Sequence, residues 1–105
     1  MKRRVVITGM GTINPLGNNV AETWERAQAG ECGIGLITGF DTTDFPVKVA
    51  GEVKNIDLDE VIGKKDARRM DRYTKLAMIA AKEAFEDSGL DMEQEDAERC
   101  GVIVS

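Results

Sequence analysis

Residues 64 to 75 hold the densest run of chemically active side chains in this 105-residue chain: six cations against two carboxylates, a local balance of +4. The remaining residues carry −9, so the whole chain is at −5 and the run is a true inversion of sign. At helical spacing Lys65, Arg68 and Arg69 share one face, and Lys64 overlaps that face through Arg68. Cations at the beginning of a helix oppose its dipole, so a helix-stabilising purpose is a poor account of them. A patch of this size suits an acidic protein partner. Nucleic acid is a weaker candidate, because coating it requires a positive field and the rest of the chain is acidic.

Other chemistries are limited by what is missing. The sequence has no histidine, so neither a Cys-His nor a Ser-His-Asp centre is built from these residues alone. Cys32 and Cys100 are far apart and make no usual zinc site, and no other metal site is expected. Cys32 lies among glycines, and Cys100 has only Arg99 as a cationic neighbour, so both are expected to be inert, Cys100 as a core residue. Val5-Val6-Ile7-Thr8-Gly9-Met10-Gly11 imitates the strand and Gly-x-Gly of a dinucleotide fingerprint, and Glu31 lies where a ribose-binding acid would fall. However, Asn14 replaces the third glycine, and Pro15 and Gly17 stop a helix from starting where a pyrophosphate needs one. A tight strand-to-loop turn is the better account, and no cofactor is expected.

The elements that must carry these residues follow from periodicity and punctuation. Arg4 to Thr8 reads as a strand buried on both faces, followed by a Gly-Asn-Pro turn from Gly9 to Asn18. Asn19 caps a helix with Glu22 as capping-box partner and Gly30 as its stop; Val20, Trp24 and Ala27 form its packing stripe. Glu31 to Phe45 reads as loop. Val47, Val49 and Val53 mark a half-exposed strand that Pro46 places at an edge. Asp57 caps a short helix through Ile62, ended by Gly63. The strongest helix runs from about Asp71 to Ser88, with Gly89 and Leu90 as a Schellman ending. An acidic connector, Asp91 to Glu98, leads to a second buried strand from Cys100 to Ser105. Leu76 to Ala81, extended by Ala84 and Phe85, is apolar in every direction around the helix axis, so this helix calls for cover on all sides. The chain has too little other material to supply that cover. A partner, or further polypeptide, has to do so.

Composition sets the class. With 42% hydrophobic and 31% charged residues the chain is ordinary globular material, enough for one domain. Its longest apolar run, Leu76 to Ala81, falls far short of the roughly 20 residues of a membrane span. Met1-Lys2-Arg3-Arg4 resembles a leader only briefly, since Gly9, Gly11, Asn14 and Pro15 break the apolar stretch. A cytoplasmic location without membrane or nucleic-acid contact is the expectation, and two cysteines without a disulfide framework fit it.

Several blocks together resemble one family. Lys2 to Gly11 (K-R-R-V-V-I-T-G-M-G), Asn14-Pro15-Leu16-Gly17-Asn18, Phe40-Asp41-Thr42 and Val49-Ala50-Gly51-Glu52-Val53 are similar to the opening of β-ketoacyl-[acyl-carrier-protein] synthases of the type II class. Arg68-Arg69-Met70-Asp71-Arg72-Tyr73, Asp87-Ser88-Gly89-Leu90 and Gly101-Val102-Ile103-Val104-Ser105 continue the pattern in order. The resemblance spans the chain but covers only the first section of a family member. It implies an α/β, thiolase-like layered fold (αβαβα), with residues 1–105 as the opening of its N-terminal half. The long helix would then lie in the central layer.

It also implies acyl transfer to a cysteine and decarboxylative Claisen condensation with malonyl carrier protein, in a homodimeric enzyme of fatty-acid elongation. Two histidines would stabilise the developing thioester enolate. Neither Cys32 nor Cys100 matches the nucleophile motif, so no catalytic residue is assigned and these residues alone are expected to be inactive. The resemblance places Lys65, Arg68 and Arg69, with Lys64 as an auxiliary, where the acidic acyl carrier protein docks. The other accounts are a stand-alone module for an acidic partner and, behind it, a dinucleotide-binding fragment.

Overall fold

A computed structural model describes residues 1–105. Its helices start and stop where local chemistry dictates. Helix α1 (Val20–Gln28) is capped by Asn19, whose side chain accepts from the Glu22 amide at 2.8 Å. The reciprocal half of the expected capping box is not formed: the Glu22 carboxylate pairs with Arg26 at 3.0 Å instead. Helix α2 (Leu58–Ile62) is capped by Asp57, which accepts from the amides of Asp59 and Glu60. A four-residue helix α3 (Lys64–Ala67) follows directly, turned by Gly63 at φ 105°. Helix α4 (Arg72–Ser88) ends on Gly89 in the left-handed region. That ending is not the full Schellman motif, because the Leu90 amide donates to the Ser88 hydroxyl at 3.2 Å.

The strands depart further from expectation. The loop expected over Glu31 to Phe45 contains strand β1 (Ile34–Leu36), which pairs antiparallel with β2 (Val49–Gly51), Leu36 opposite Val49 and Ile34 opposite Gly51. The strand expected around Val47 to Val53 shortens to those three residues, and in a two-stranded sheet both strands are edges. Neither Arg4 to Thr8 nor Cys100 to Ser105 forms a strand, and their apolar side chains are exposed rather than buried: Ile7 is 83% and Ile103 98% exposed. The reason is physical. A strand exists only through a neighbour's ladder, and these residues provide no neighbour for either segment.

Helix α4 takes over part of that task. Gly9 and Gly11 lie directly on its backbone along the Ala80, Ala84 and Ser88 stripe; a Cβ on Gly11 would stand 2.0 Å from the Ala80 carbonyl oxygen. Two α4 carboxylates take up the amides of the passing segment. Asp87 accepts from Met10 N at 3.0 Å and Glu83 from Thr12 N at 3.0 Å. The second Glu83 oxygen accepts from Val20 N at 2.8 Å, joining α4 to the first turn of α1. Asn14 organises the turn between: its Oδ1 accepts from Leu16 and Gly17, and its Nδ2 donates to the hydroxyls of Thr12 and Thr23. Pro15 then seats against Gly33 and Gly51 of the hairpin region.

Little of this is interior. Only Gly17, Leu58 and Ala67 are buried, and the radius of gyration is 17.2 Å where a compact domain of this length has about 13 Å. No residue of α4 is buried, and Met78 and Phe85 stay nearly half exposed. Four α-helices and a 3-10 turn (Ala97–Arg99) beside a two-stranded sheet make a mixed arrangement, compatible with a portion of a thiolase-like domain; the layers themselves are not formed by these residues.

Candidate docking surface

The basic run lies on the best-anchored part of the chain. Leu58 in α2 and Ala67 in α3 are its only two buried side chains larger than glycine. Ala67 fixes the inner side of α3. Lys64 and Lys65 occupy the first turn, and Arg68 follows Ala67 in helical conformation at φ −60° and ψ −22°. The Arg69 amide returns to the Asp66 carbonyl at 3.1 Å and Met70 to Ala67 at 3.1 Å, so a tighter helical turn carries the chain through Arg69. All four candidate residues thus lie on one continuous helical stretch. All four are exposed, and none enters an ion pair or a side-chain hydrogen bond within the chain.

The two outer cations of the run behave differently. Arg72 donates to the Val53 carbonyl at 3.1 Å, and Lys75 pairs with Asp59 at 2.6 Å. Both are spent on holding α4 to its neighbours. The effective patch is therefore Lys64, Lys65, Arg68 and Arg69, with Asp66 as the one carboxylate among them. Sequence spacing points to the same four, but it does not show what Arg72 and Lys75 bind, because Val53 and Asp59 are distant in sequence from them. Four unpaired cations on one exposed stretch can attract and orient an anionic surface. No group among them is placed to make or break a covalent bond.

The remaining candidates resolve on contact geometry. The Gly9-x-Gly11 motif has no room for a phosphate, since α4 backbone atoms fill the space beside both glycines. The amides of Met10 within it and Thr12 just after it are also committed to the Asp87 and Glu83 carboxylates, which would repel an anion. The motif is a helix-packing device. Cys100 is not a core residue: it is exposed, as is Cys32, and their thiols lie near the carbonyls of Asp96 and Ile34. No group of three His, Cys, Asp or Glu side chains could hold a metal ion, and no helix is long and apolar enough to cross a membrane.

Glu52 is a feature the sequence did not single out. It accepts from the amides of Thr38 and Gly39 at 2.9 and 3.0 Å, closing the end of the hairpin. The Thr38 amide, followed by the Gly39 amide, the Thr38 hydroxyl and the Lys54 charge, holds its carboxyl below the ordinary 4.5 against a desolvation effect. Thr43 does the same for Asp41 through its hydroxyl and amide. Both carboxylates serve turns and face no cleft that suggests catalysis.

Comparison with known proteins supplies the remaining identification. Residues 2–105 match the model of the β-ketoacyl synthase N-terminal domain. The chain is 51% identical over 102 residues to 3-oxoacyl-[acyl-carrier-protein] synthase 2 of Staphylococcus aureus strain COL, covering 97% of this chain and 25% of that protein. It is 47% identical over 103 residues to the protein of the same name from Vibrio cholerae serotype O1, covering 98% and 25%. The chain spans about a quarter of the length of these curated relatives. With a match over nearly its whole length, this chain belongs to the β-ketoacyl synthase N-terminal domain family.

Proposed function

We propose that this chain contributes to a fatty-acid-elongating condensing enzyme and that Lys64, Lys65, Arg68 and Arg69 dock its acyl carrier protein. The reaction joins an acyl thioester to malonyl carrier protein, giving 3-oxoacyl carrier protein, carbon dioxide and free carrier protein. The names of the relatives, 3-oxoacyl-[acyl-carrier-protein] synthase 2, support this reaction. The chemistry calls for a cysteine nucleophile and two histidines; these residues contain no histidine and supply scaffold and docking surface. By the same resemblance the enzyme is a cytoplasmic homodimer.

One observation carries the docking assignment. Four cations on one anchored stretch are exposed and unpaired, while the neighbouring Arg72 and Lys75 are consumed internally. Leaving four positive side chains unpaired in an otherwise acidic chain favours an acidic partner, whose approach they accelerate and orient. The test is charge reversal in the full-length protein, Lys65→Glu with Arg68→Glu and Arg69→Glu. The KM for carrier-linked substrates should rise about tenfold or more at low salt, with kcat little changed. Unchanged carrier kinetics at low ionic strength would remove the assignment.

A further inference from the structure

The stretch bearing the free cations is too short to set its own direction. Helix α3 has four residues, no side-chain cap, and a glycine at φ 105° before it, so beyond the one buried Ala67 its orientation depends on what holds α2 and α4. Beside the apolar packing of α2 on α4, two polar contacts do so without using the patch. Lys75 Nζ lies 2.6 Å from Asp59 Oδ1, tying the first turns of α4 to α2. Arg72 Nη2 donates to the Val53 carbonyl at 3.1 Å, tying the start of α4 to the chain just past β2. Of these, the ion pair is the contact that brackets α3 from both sides. Lys75 is largely covered, its side chain 18% exposed against 51% for Asp59, so it is removed from the surface a partner would meet.

We infer that the Lys75–Asp59 pair is a positioning clamp for the basic patch: by locking α2 to α4 across α3 it holds Lys64, Lys65, Arg68 and Arg69 in the arrangement an acidic partner meets. This rests on the docking role proposed above. A clamp and a simple charge field give opposite signs for one substitution. Asp59 is a negative charge beside a basic patch, so if only the field mattered, Asp59→Asn would tighten binding of an acidic protein. If Asp59 positions the patch, the same substitution lowers the fraction of molecules with a competent arrangement and weakens binding.

The experiment measures the Kd of purified acyl carrier protein for the full-length protein at low ionic strength, with KM and kcat alongside. Asp59→Asn and Lys75→Met should each raise Kd about threefold, the scale of one partly exposed ion pair. Lys75→Arg should stay within about twofold of the parent, and the exchange Asp59→Lys with Lys75→Asp, which keeps net charge, should recover most of the loss. kcat at saturating carrier should not change, which separates misplacement of the patch from general damage. A lower or unchanged Kd for Asp59→Asn overturns the clamp, as does failure of the charge exchange to recover binding in a protein with parental circular dichroism. Lys65→Glu with Arg68→Glu separates the two levels: if it weakens binding while Asp59→Asn does not, docking stands and the clamp falls. If it leaves Kd unchanged, the docking role falls and the clamp with it.

Discussion

Gly11→Ala tests the central packing claim, that the Gly9-x-Gly11 segment exists to lie on helix α4. The new Cβ would stand 2.0 Å from the Ala80 carbonyl oxygen and 2.6 Å from the Ala84 amide nitrogen. Both obstacles are backbone, so no side-chain rotation relieves them. Reaching even 3.0 Å from that oxygen requires about 1 Å of separation between segment and helix, on the scale where overpacking costs about 1–3 kcal/mol. The same movement stretches the Thr12–Glu83 and Met10–Asp87 hydrogen bonds, both 3.0 Å, adding about 1 kcal/mol. A total loss of about 2–4 kcal/mol follows. Denaturant unfolding of the full-length protein, followed by circular dichroism, measures it. One control calibrates the result. Gly30→Ala meets nothing within 4 Å but lies at φ +73°, so it should cost about 1 kcal/mol from the backbone alone. A loss for Gly11→Ala no larger than that for Gly30→Ala would refute the packing argument.

Gly63→Ala should lower stability by about 1–3 kcal/mol and raise the KM for carrier-linked substrates, because φ 105° suits glycine although the space around it is open; a silent variant would show that α3 does not depend on this turn. Glu83→Ala leaves the Thr12 and Val20 amides without their acceptor, so hydrogen exchange at those two amides should accelerate and stability fall by about 1–3 kcal/mol. Glu52 gives a pH dependence of definite sign. Its carboxyl is held below 4.5 in the folded chain, so its contribution is fully present above that value and fades as pH falls through the lower folded one. Amide exchange at Thr38 and Gly39 should therefore quicken on acidification, relative to the intrinsic rate, and Glu52→Gln should abolish that transition.

Features determined over a few residues were legible in the sequence alone. Asn19 and Asp57 cap helices because a side-chain oxygen reaches an amide two or three residues on, and Gly63 and Gly89 end them because of backbone freedom. The basic patch was legible too, since an inversion of charge is a property of composition, and the family motifs are local strings. Tertiary structure alone decided the rest. Arg72 and Lys75 hold α4 in place because Val53 and Asp59 approach them only when the chain folds back. Gly9-x-Gly11 became a helix seat because α4, about seventy residues later, lies against it. Arg4 to Thr8 and Cys100 to Ser105 carry strand sequences without forming strands, while the glycine-rich Ile34–Leu36 does form one against Val49–Gly51. A capping residue brings its partner with it along the chain, whereas a ladder, an ion pair or a helix contact depends on a second segment arriving in the right place.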